Sequence, residues 1–426
     1  MVLKYPGGIF LPARASAQEC VQIVARPHTV TEAELEEVYL CLGEKAVGYT
    51  LACRENSNLQ AGTLVATLSD GTPIYASVSG TFAGVFENRG VLYAKIAAMP
   101  ASAGSDAGVL QVRPPEQKRL SEMSREELLD ATRTLGIWDM HTGDWLWRRA
   151  QKAQKNEIRR VVVDLTDANG WSLTGCHAAL RASGDVLGGA KVLLQLLGAT
   201  KILLIVDHLQ RKQAEVFRAL INDPELVVLG EVEAKFPLRE ETLYEAIYAR
   251  RLPRGKSAQD EGIFIVRAQT AAALYHALLT GEPQTTRWLT AAGDGFGRDL
   301  VVQAPFGTPW AKLLSICKFK GGAYVTRLDS PLHGKPAEGI LGGSTESVLA
   351  SMPAKADAGH CIACGRCAEV CPMRLQPFRI LGEKTYRSVK TLASVCIDCG
   401  CCDYICPAGI PLREQIAKHR NPPANP

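Results

Sequence analysis

Short apolar runs broken by turn residues dominate the first hundred positions. Leu64-Val-Ala-Thr-Leu68, Ile74-Tyr-Ala-Ser-Val78, Phe82-Ala-Gly-Val-Phe86 and Val91-Leu-Tyr-Ala-Lys-Ile96 are separated by Asp70-Gly71, Gly80 and Asn88-Arg89-Gly90. This spacing predicts strands in a small β barrel-sandwich. A Gly/Ala/Ser/Pro stretch from Ala101 to Pro115 reads as a linker. The apolar period then lengthens. Ser124 and Glu127 form a capping box, Leu128, Leu129 and Leu135 supply one apolar face, and Gly136 ends the helix. Beyond it, apolar strands at Val161–Val163, Ile202–Val206, Leu226–Leu229 and Ile263–Val266 alternate with helices at about 185–197, 212–221, 240–250 and 270–279. That alternation predicts a Rossmann-like parallel sheet covered on both faces.

From about Glu282 the pattern shortens again. Arg287–Thr290 and Leu300–Gln303 are strands joined by Gly293-Asp-Gly-Phe-Gly297, and a helix is expected with Thr308 as N-cap and Pro309 at its first position. The glycine loop joins two strands and opens no helix, so it reads as a hairpin turn and not as a phosphate loop. The fold class is multidomain α+β and α/β, with boundaries at 1–115 (β barrel-sandwich plus linker), 116–280 (α/β), 281–350 (β-grasp, SLBB-like) and 351–426 (a ferredoxin-like, α-helical segment and tail).

Composition narrows the function classes. The 426 residues carry a net charge of +4, so nothing points to nucleic acid, and Lys152–Arg160 reads as a solvated helix face. The longest apolar stretch, Val186–Val206, is interrupted by Lys191, Gln195, Gly198 and Lys201 and divides into a helix and a strand, not a membrane span. The first residues lack the apolar run of a secretory signal, and a cytoplasmic location is expected.

Nine of the fourteen cysteines fall within residues 361–406. Cys361-x2-Cys364-x2-Cys367-x3-Cys371-Pro372 and Cys396-x2-Cys399-x2-Cys402-x3-Cys406-Pro407 repeat one pattern. Three closely spaced thiolates wrap around a cubane, and in two-cluster ferredoxins the fourth cysteine ligates the other cluster. Two [4Fe–4S] clusters are therefore expected, one on Cys361, Cys364, Cys367 and Cys406, the other on Cys396, Cys399, Cys402 and Cys371. Gly365 and Gly400 give the backbone room to approach the inorganic sulfurs. Structural zinc uses paired knuckles, not this doubled run, and a c-type haem needs a C-x-x-C-H that does not occur. Cys401, a ninth cysteine inside the second loop, reads as a packing residue. Residues Gln376–Ser394, between the motifs, read as helix and loop over the clusters, and Leu412–His419 as a short helix.

Several short segments carry a family resemblance through their order: Gly7-Gly8-Ile9, Lys235-Phe-Pro237, Thr270–Tyr275, Gly281-Glu-Pro283, Thr290–Asp294 and Phe306–Pro309, followed by the double cysteine motif. The chain resembles RnfC, the NADH-facing subunit of a redox-driven ion pump. It also resembles RnfC-like soluble proteins such as the electron-transfer protein associated with D-proline reductase, and its α/β part is similar to the flavoprotein subunit of respiratory complex I. The N-terminal strands resemble biotinyl and lipoyl domains, but the lysine such carriers present on a hairpin is absent.

The resemblance implies FMN and NADH binding through a loop of the form G-x-G-G-A-G-F-P-T. Here that stretch is Leu135–Trp147, in which Gly136 and Gly143 are the surviving glycines. Trp138 and Trp145, with Asp139 and Asp144, are expected to obstruct the site and repel phosphate. Of the family's acidic stretch Asp167 is the remaining match, and a tyrosine-proline element has become Phe236-Pro237. Two readings stay open: a lost or altered nucleotide site, or a flavin kept in a changed pocket with Trp138 or Trp145 stacked on its ring. His141 and His177 lie near these loops as candidate ligand or proton-shuttle groups, and Cys53 and Cys176 as candidate redox thiols, each set against a plain packing role.

The expected function is a relay of single electrons between a protein donor and a protein acceptor, with a proline-reductase-type system among the acceptors that the resemblance implies. Ferredoxin-type centres work on the order of −400 mV. The alternatives are an NADH dehydrogenase with FMN feeding the clusters, and a protein whose clusters only hold the fold. Peripheral association with a membrane complex is part of what the resemblance implies.

Overall fold

The computed structural model describes residues 2–11, 17–44, 46–99, 120–167, 171–233, 235–330, 332, 334–353, 358–380 and 393–420. At its centre, strands Val2–Leu3, Val227–Val232, Lys201–Asp207, Arg160–Asp164 and Ile263–Arg267 lie side by side in that order, all parallel. Successive side chains of these strands point to opposite faces. Val161, Val163, Ile202, Leu204, Phe264 and Val266 enter one core, while Val162, Leu203, Ile205 and Ile265 enter another. Burial on both sides explains why the strands read as unbroken apolar runs. Helices Ser183–Leu197 and Ala268–Thr280 close the first face, so tightly that a Cβ on Gly189 would stand 1.9 Å from the Ala271 carbonyl oxygen. Ser124 caps helix Arg125–Thr134 by accepting from the Glu127 amide at 3.2 Å, as the capping box predicts.

The next strands in sequence on either side of Arg160–Asp164 are Lys201–Asp207 and, beyond two more crossings, Ile263–Arg267. Connections therefore leave this strand in opposite directions and open a crevice at its carboxyl end. In open α/β sheets ligands bind at such a crevice.

The N-terminal β unit has two sheets. Glu37–Glu44, Val91–Ala98, Gly80–Asn88 and Asn58–Leu59 form one, and Tyr49–Leu51, Leu64–Leu68 and Pro73–Tyr75 the other. A further five-stranded sheet runs Val325–Leu328, Ser347–Ser351, Thr286–Ala292, Leu300–Pro305, His28–Thr29. Its Leu289, Val302 and Trp310 share one core with Val38, Leu40, Phe82 and Ile96 of the N-terminal unit.

The first thirty residues depart from the sequence-derived boundary at residue 1. Val2–Leu3 extends the parallel sheet and His28–Thr29 the third sheet, because both open edges accept a strand too short for periodicity to reveal. The helix expected from Thr308 spans Trp310–Ile316, with Pro309 as its N-cap, because the Thr308 hydroxyl donates to the Pro305 carbonyl at 2.8 Å instead of capping. Helices Ala17–Val24, Leu146–Ala153 and Thr174–Arg181 add to those that the sequence marks. The linker Ala101–Pro115, most of the stretch between the cysteine motifs, and the tail after Arg420 lie outside the described residues. Among the described residues no helix is long and apolar enough to cross a membrane.

Candidate metal centre and adjoining cleft

The two cysteine loops have one backbone shape. Ala363 (φ 54°) and Gly365 (φ 76°) in the first correspond to Asp398 (φ 58°) and Gly400 (φ 78°) in the second. Each left-handed pair turns the chain around a common centre, and each glycine then caps a short helix, Arg366–Glu369 or Cys401–Ile405. The fourth cysteine of each motif is carried across to the other loop. Cys361, Cys364, Cys367 and Cys406 line one pocket, with Ile362, Phe378 and Ile410. Cys371, Cys396, Cys399 and Cys402 line a second, with Met373, Leu375 and Ile416. Backbone amides point at sulfur: Leu375 N–H donates to Cys371 Sγ at 3.3 Å and Asp398 N–H to Cys396 Sγ at 3.4 Å. Among the described residues no three His, Cys, Asp or Glu side chains close on a single ion position. Four thiols around an apolar pocket, with amides directed at the sulfurs, are a donor set that suits a thiolate-held cluster.

The pockets differ in exposure. Cys361 and Cys364 are exposed, and Ile362 between them is 68% exposed. In the second set Cys399 and Cys402 are buried and Cys371 and Cys396 half-buried. This inner pocket is backed by the α/β unit. Cys401, fully buried, donates from Sγ to the Phe236 carbonyl at 3.5 Å, and Arg239 donates to the Ile397 carbonyl at 2.8 Å. Arg374 pairs with Glu245 at 2.6 Å.

Phe236, Pro237 and Arg239 also wall a cleft of about 480 Å³ at the carboxyl ends of the parallel strands. Arg239, Arg267 and His141 face Glu240, Glu241, Asp329 and Glu346 across it. Arg267 is committed to Asp164 and, at 3.2 Å, to Glu346; burial opposes its charge, but these carboxylates hold the guanidinium firmly protonated. Burial pushes the Asp329 carboxyl up to about 6, against the amides of Glu346 (2.7 Å) and Ser347 (2.9 Å) that donate to it. The lining is mixed in charge with carboxylates in excess.

The three residues expected to bind a nucleotide do not meet in this cleft. Gly136 (φ 60°) lies against the Tyr75 ring, and Gly143 (φ 72°) packs on Ser344, whose amide nitrogen would be 3.0 Å from an added Cβ. Asp167 accepts the amides of Gly175 (2.9 Å) and Cys176 (3.1 Å) in the first turn of helix Thr174–Arg181. Loss of solvent around its carboxyl pushes its pKa well above the usual range.

The obstruction expected from the loop between the glycines takes a different form. Trp138 and Trp145 pair in a two-stranded hairpin, ring centroids 4.8 Å apart and edge to face, and Trp138 Nε1 donates to the Gly343 carbonyl at 2.8 Å. Neither ring lines the cleft. Asp139 is buried against Arg149 at 2.8 Å, and Asp144 pairs with Arg148 at 2.8 Å, so both charges are answered locally. The hairpin instead presents Met140 and His141 to the cleft.

His177 packs edge-on to Trp288 at 4.6 Å, away from the cleft, and burial pushes its imidazole down to about 4. The thiols of Cys53 and Cys176 are pushed up by burial, the reverse of what a reactive thiol needs. Sequence reading misses Arg267, Asp329 and Glu346; they come from a strand end and two loops far apart in sequence, with no local motif to mark them.

Residues 360–410 match a family described as a 4Fe-4S dicluster domain. The RnfC-type subunit of the Na(+)-translocating ferredoxin:NAD(+) oxidoreductase complex from Acetobacterium woodii is 29% identical over 233 residues, covering 52% of this chain and 52% of the relative. The corresponding subunit of the ion-translocating oxidoreductase complex from Pseudomonas aeruginosa is 27% identical over 400 residues, covering 88% of this chain and 49% of the relative. The chain thus spans about half the length of these relatives. A chain of an NAD+-reducing [NiFe]-hydrogenase aligns with a TM-score of 0.46 and 11% identity over 71% of this chain and 61% of its own. The chain is a homologue of the RnfC-type subunits of ion-translocating oxidoreductases, with a 4Fe-4S dicluster domain near its C-terminus.

Proposed function

We propose that this chain relays single electrons through two [4Fe–4S] clusters between a donor protein and an acceptor protein. The observation that carries this reading is the crossed arrangement of eight cysteines in two pockets, four to each. Cys361, Cys364, Cys367 and Cys406 hold one cluster, and Cys371, Cys396, Cys399 and Cys402 the other. Bound there, such clusters take up and release one electron at a time. The chain's own residues do the rest. Ile362, Phe378 and Ile410 keep water from the outer thiols, while the Leu375 and Asp398 amides stabilise negative charge on the inner ones. Exposed Cys361 and Cys364 bring the outer pocket within reach of a docked protein. The inner pocket faces the cleft wall through Cys401 and Arg239. The partners we propose are redox proteins, on a cytoplasmic face and with peripheral docking to a membrane complex included.

FMN in the cleft is the second reading, favoured by the cleft's place at the crevice of a parallel sheet. Its lining does not fit a phosphate. Four carboxylates face it, Arg267 is taken by Asp164 and Glu346, and among the described residues no glycine loop opens a bare backbone onto it. No step is assigned to flavin on this chain.

An anaerobic potentiometric titration followed by EPR tests the relay. Two centres that reduce and reoxidise reversibly at low potential are expected. Iron that never changes oxidation state across the accessible range would reduce the clusters to structural staples and sink the proposal.

A further inference from the structure

The N-terminal strap, residues 2–11, runs from one edge of the parallel sheet to the cysteine loops. Val2–Leu3 pairs with Val227–Val232, Tyr5 donates its hydroxyl to the Pro237 carbonyl at 3.0 Å, and Ile9 exchanges two backbone hydrogen bonds of 2.8 Å with Phe236. Between them Gly7 (φ 63°) and Gly8 (φ 74°) carry the chain through a left-handed turn, and Gly8 N–H donates to the Val370 carbonyl at 2.9 Å. A Cβ on Gly7 would stand 2.6 Å from Cys371 C, 2.7 Å from its oxygen and 2.8 Å from Pro372 N. All three are backbone atoms, so no flexible side-chain end can swing aside.

The peptide under Gly7 is the one at which Cys371 leaves its own motif to join Cys396, Cys399 and Cys402. Its position is fixed from the other side too. Arg374 N–H donates to the Cys371 carbonyl at 3.0 Å and Leu375 N–H to Cys371 Sγ. A shift of this peptide therefore moves both a ligand sulfur and the amide that stabilises it. We propose that Gly7 is a positioning residue that sets the place of Cys371 and so tunes the inner cluster while leaving the outer one alone. This rests on the cluster reading above. It also gives a physical role to the Gly7-Gly8-Ile9 segment, which lies more than 360 residues from the ligand it touches.

The test uses the full-length holoprotein under anaerobic conditions, comparing Gly7→Ala with Gly90→Ala. Gly90 is also left-handed (φ 80°), but nothing lies within 4 Å of its Cβ position, so that variant carries the conformational strain without the clash. EPR-monitored titration of Gly7→Ala should show one centre shifted in midpoint or lost and the other unchanged, with Gly90→Ala moving neither. Repeating Gly7→Ala on a Cys364→Ala background, which keeps the inner set, should show that the shifted centre is the one that remains. Two unmoved midpoints, or two moved equally, would overturn the assignment. Should Gly7→Ala fail to fold, hydrogen exchange on the wild-type chain decides. Gly8 and Ile9 amides are expected to lose protection when chelation strips the iron, and unchanged protection would overturn the proposal. A wild-type protein that binds no iron defeats the cluster reading itself, a separate outcome from either of these.

Discussion

Combining Cys364→Ala with Cys406→Ala will remove one cluster, whereas combining Cys399→Ala with Cys406→Ala will remove both. The pairing follows from the pockets. Cys406 belongs by sequence to the second motif, but it lines the pocket of Cys361, Cys364 and Cys367. Once Cys364 is gone that cluster is already compromised, and losing Cys406 as well costs the same centre again. Once Cys399 is gone, the inner set of Cys371, Cys396 and Cys402 has lost a ligand, and the loss of Cys406 then breaks the outer set too. Residues that act as a unit show this kind of non-additivity. Iron analysis after anaerobic purification should give about four irons in the first double variant and close to none in the second, against about eight in the wild type. The opposite pattern would mean that each motif closes on itself.

Arg149→Met will destabilise the chain by about 3–5 kcal/mol near neutral pH, the range for removing one partner of a buried ion pair. Asp139 is fully buried and accepts the His141 amide at 3.0 Å and the Thr142 hydroxyl at 2.9 Å, so its charge organises the hairpin that walls the cleft. Burial alone would raise its pKa, but Arg149, seated 4.1 Å over the Phe264 ring, and His141 hold it below the usual carboxylate range. A folded pKa depressed in this way contributes stability above the unfolded value of about 3.9, and that contribution fades as pH falls through the folded pKa. In Arg149→Met burial is no longer opposed by the guanidinium, and the carboxyl takes up a proton more readily. The variant then loses stability as pH rises above about 4. Urea denaturation at two pH values checks this. The deficit against wild type should be large at pH 7 and should shrink toward pH 4. A deficit independent of pH would show that Arg149 contributes only packing.

Much of the architecture is legible in the sequence because its signals are local. The strands Arg160–Asp164, Lys201–Asp207 and Ile263–Arg267 are buried on both faces and read as apolar runs, and helix Arg125–Thr134 announces itself with its capping box. The cysteine sets are legible because a fixed spacing is imposed by the shape of what the thiols surround. What sequence does not show depends on distant partners. Val2–Leu3 and His28–Thr29 are two-residue strands whose pairing comes from open sheet edges. Helix Thr174–Arg181 lacks an N-cap side chain; instead Asp167, seven residues before it, satisfies two of its first amides. For the same reason Asp167 reads as a cofactor ligand: an acid at a strand's end looks alike in sequence whether it faces a ligand or a helix. Likewise the charges of Asp139 and Asp144 count against phosphate only while Arg149 and Arg148 beside them go unseen. In the folded chain it is the cleft's excess of carboxylates, spread over residues 240–346, that disfavours a phosphate.

The central claim is that electrons reach this chain from another protein and not from NADH bound in the cleft. The most direct measurement is iron, sulfide and flavin analysis of the anaerobically purified protein, followed by addition of NADH under an optical probe. The account predicts about eight irons, no flavin, and clusters that stay oxidised with NADH yet bleach with a low-potential chemical reductant. Stoichiometric FMN with clusters reduced by NADH would contradict it and place the NADH-oxidising step on this chain.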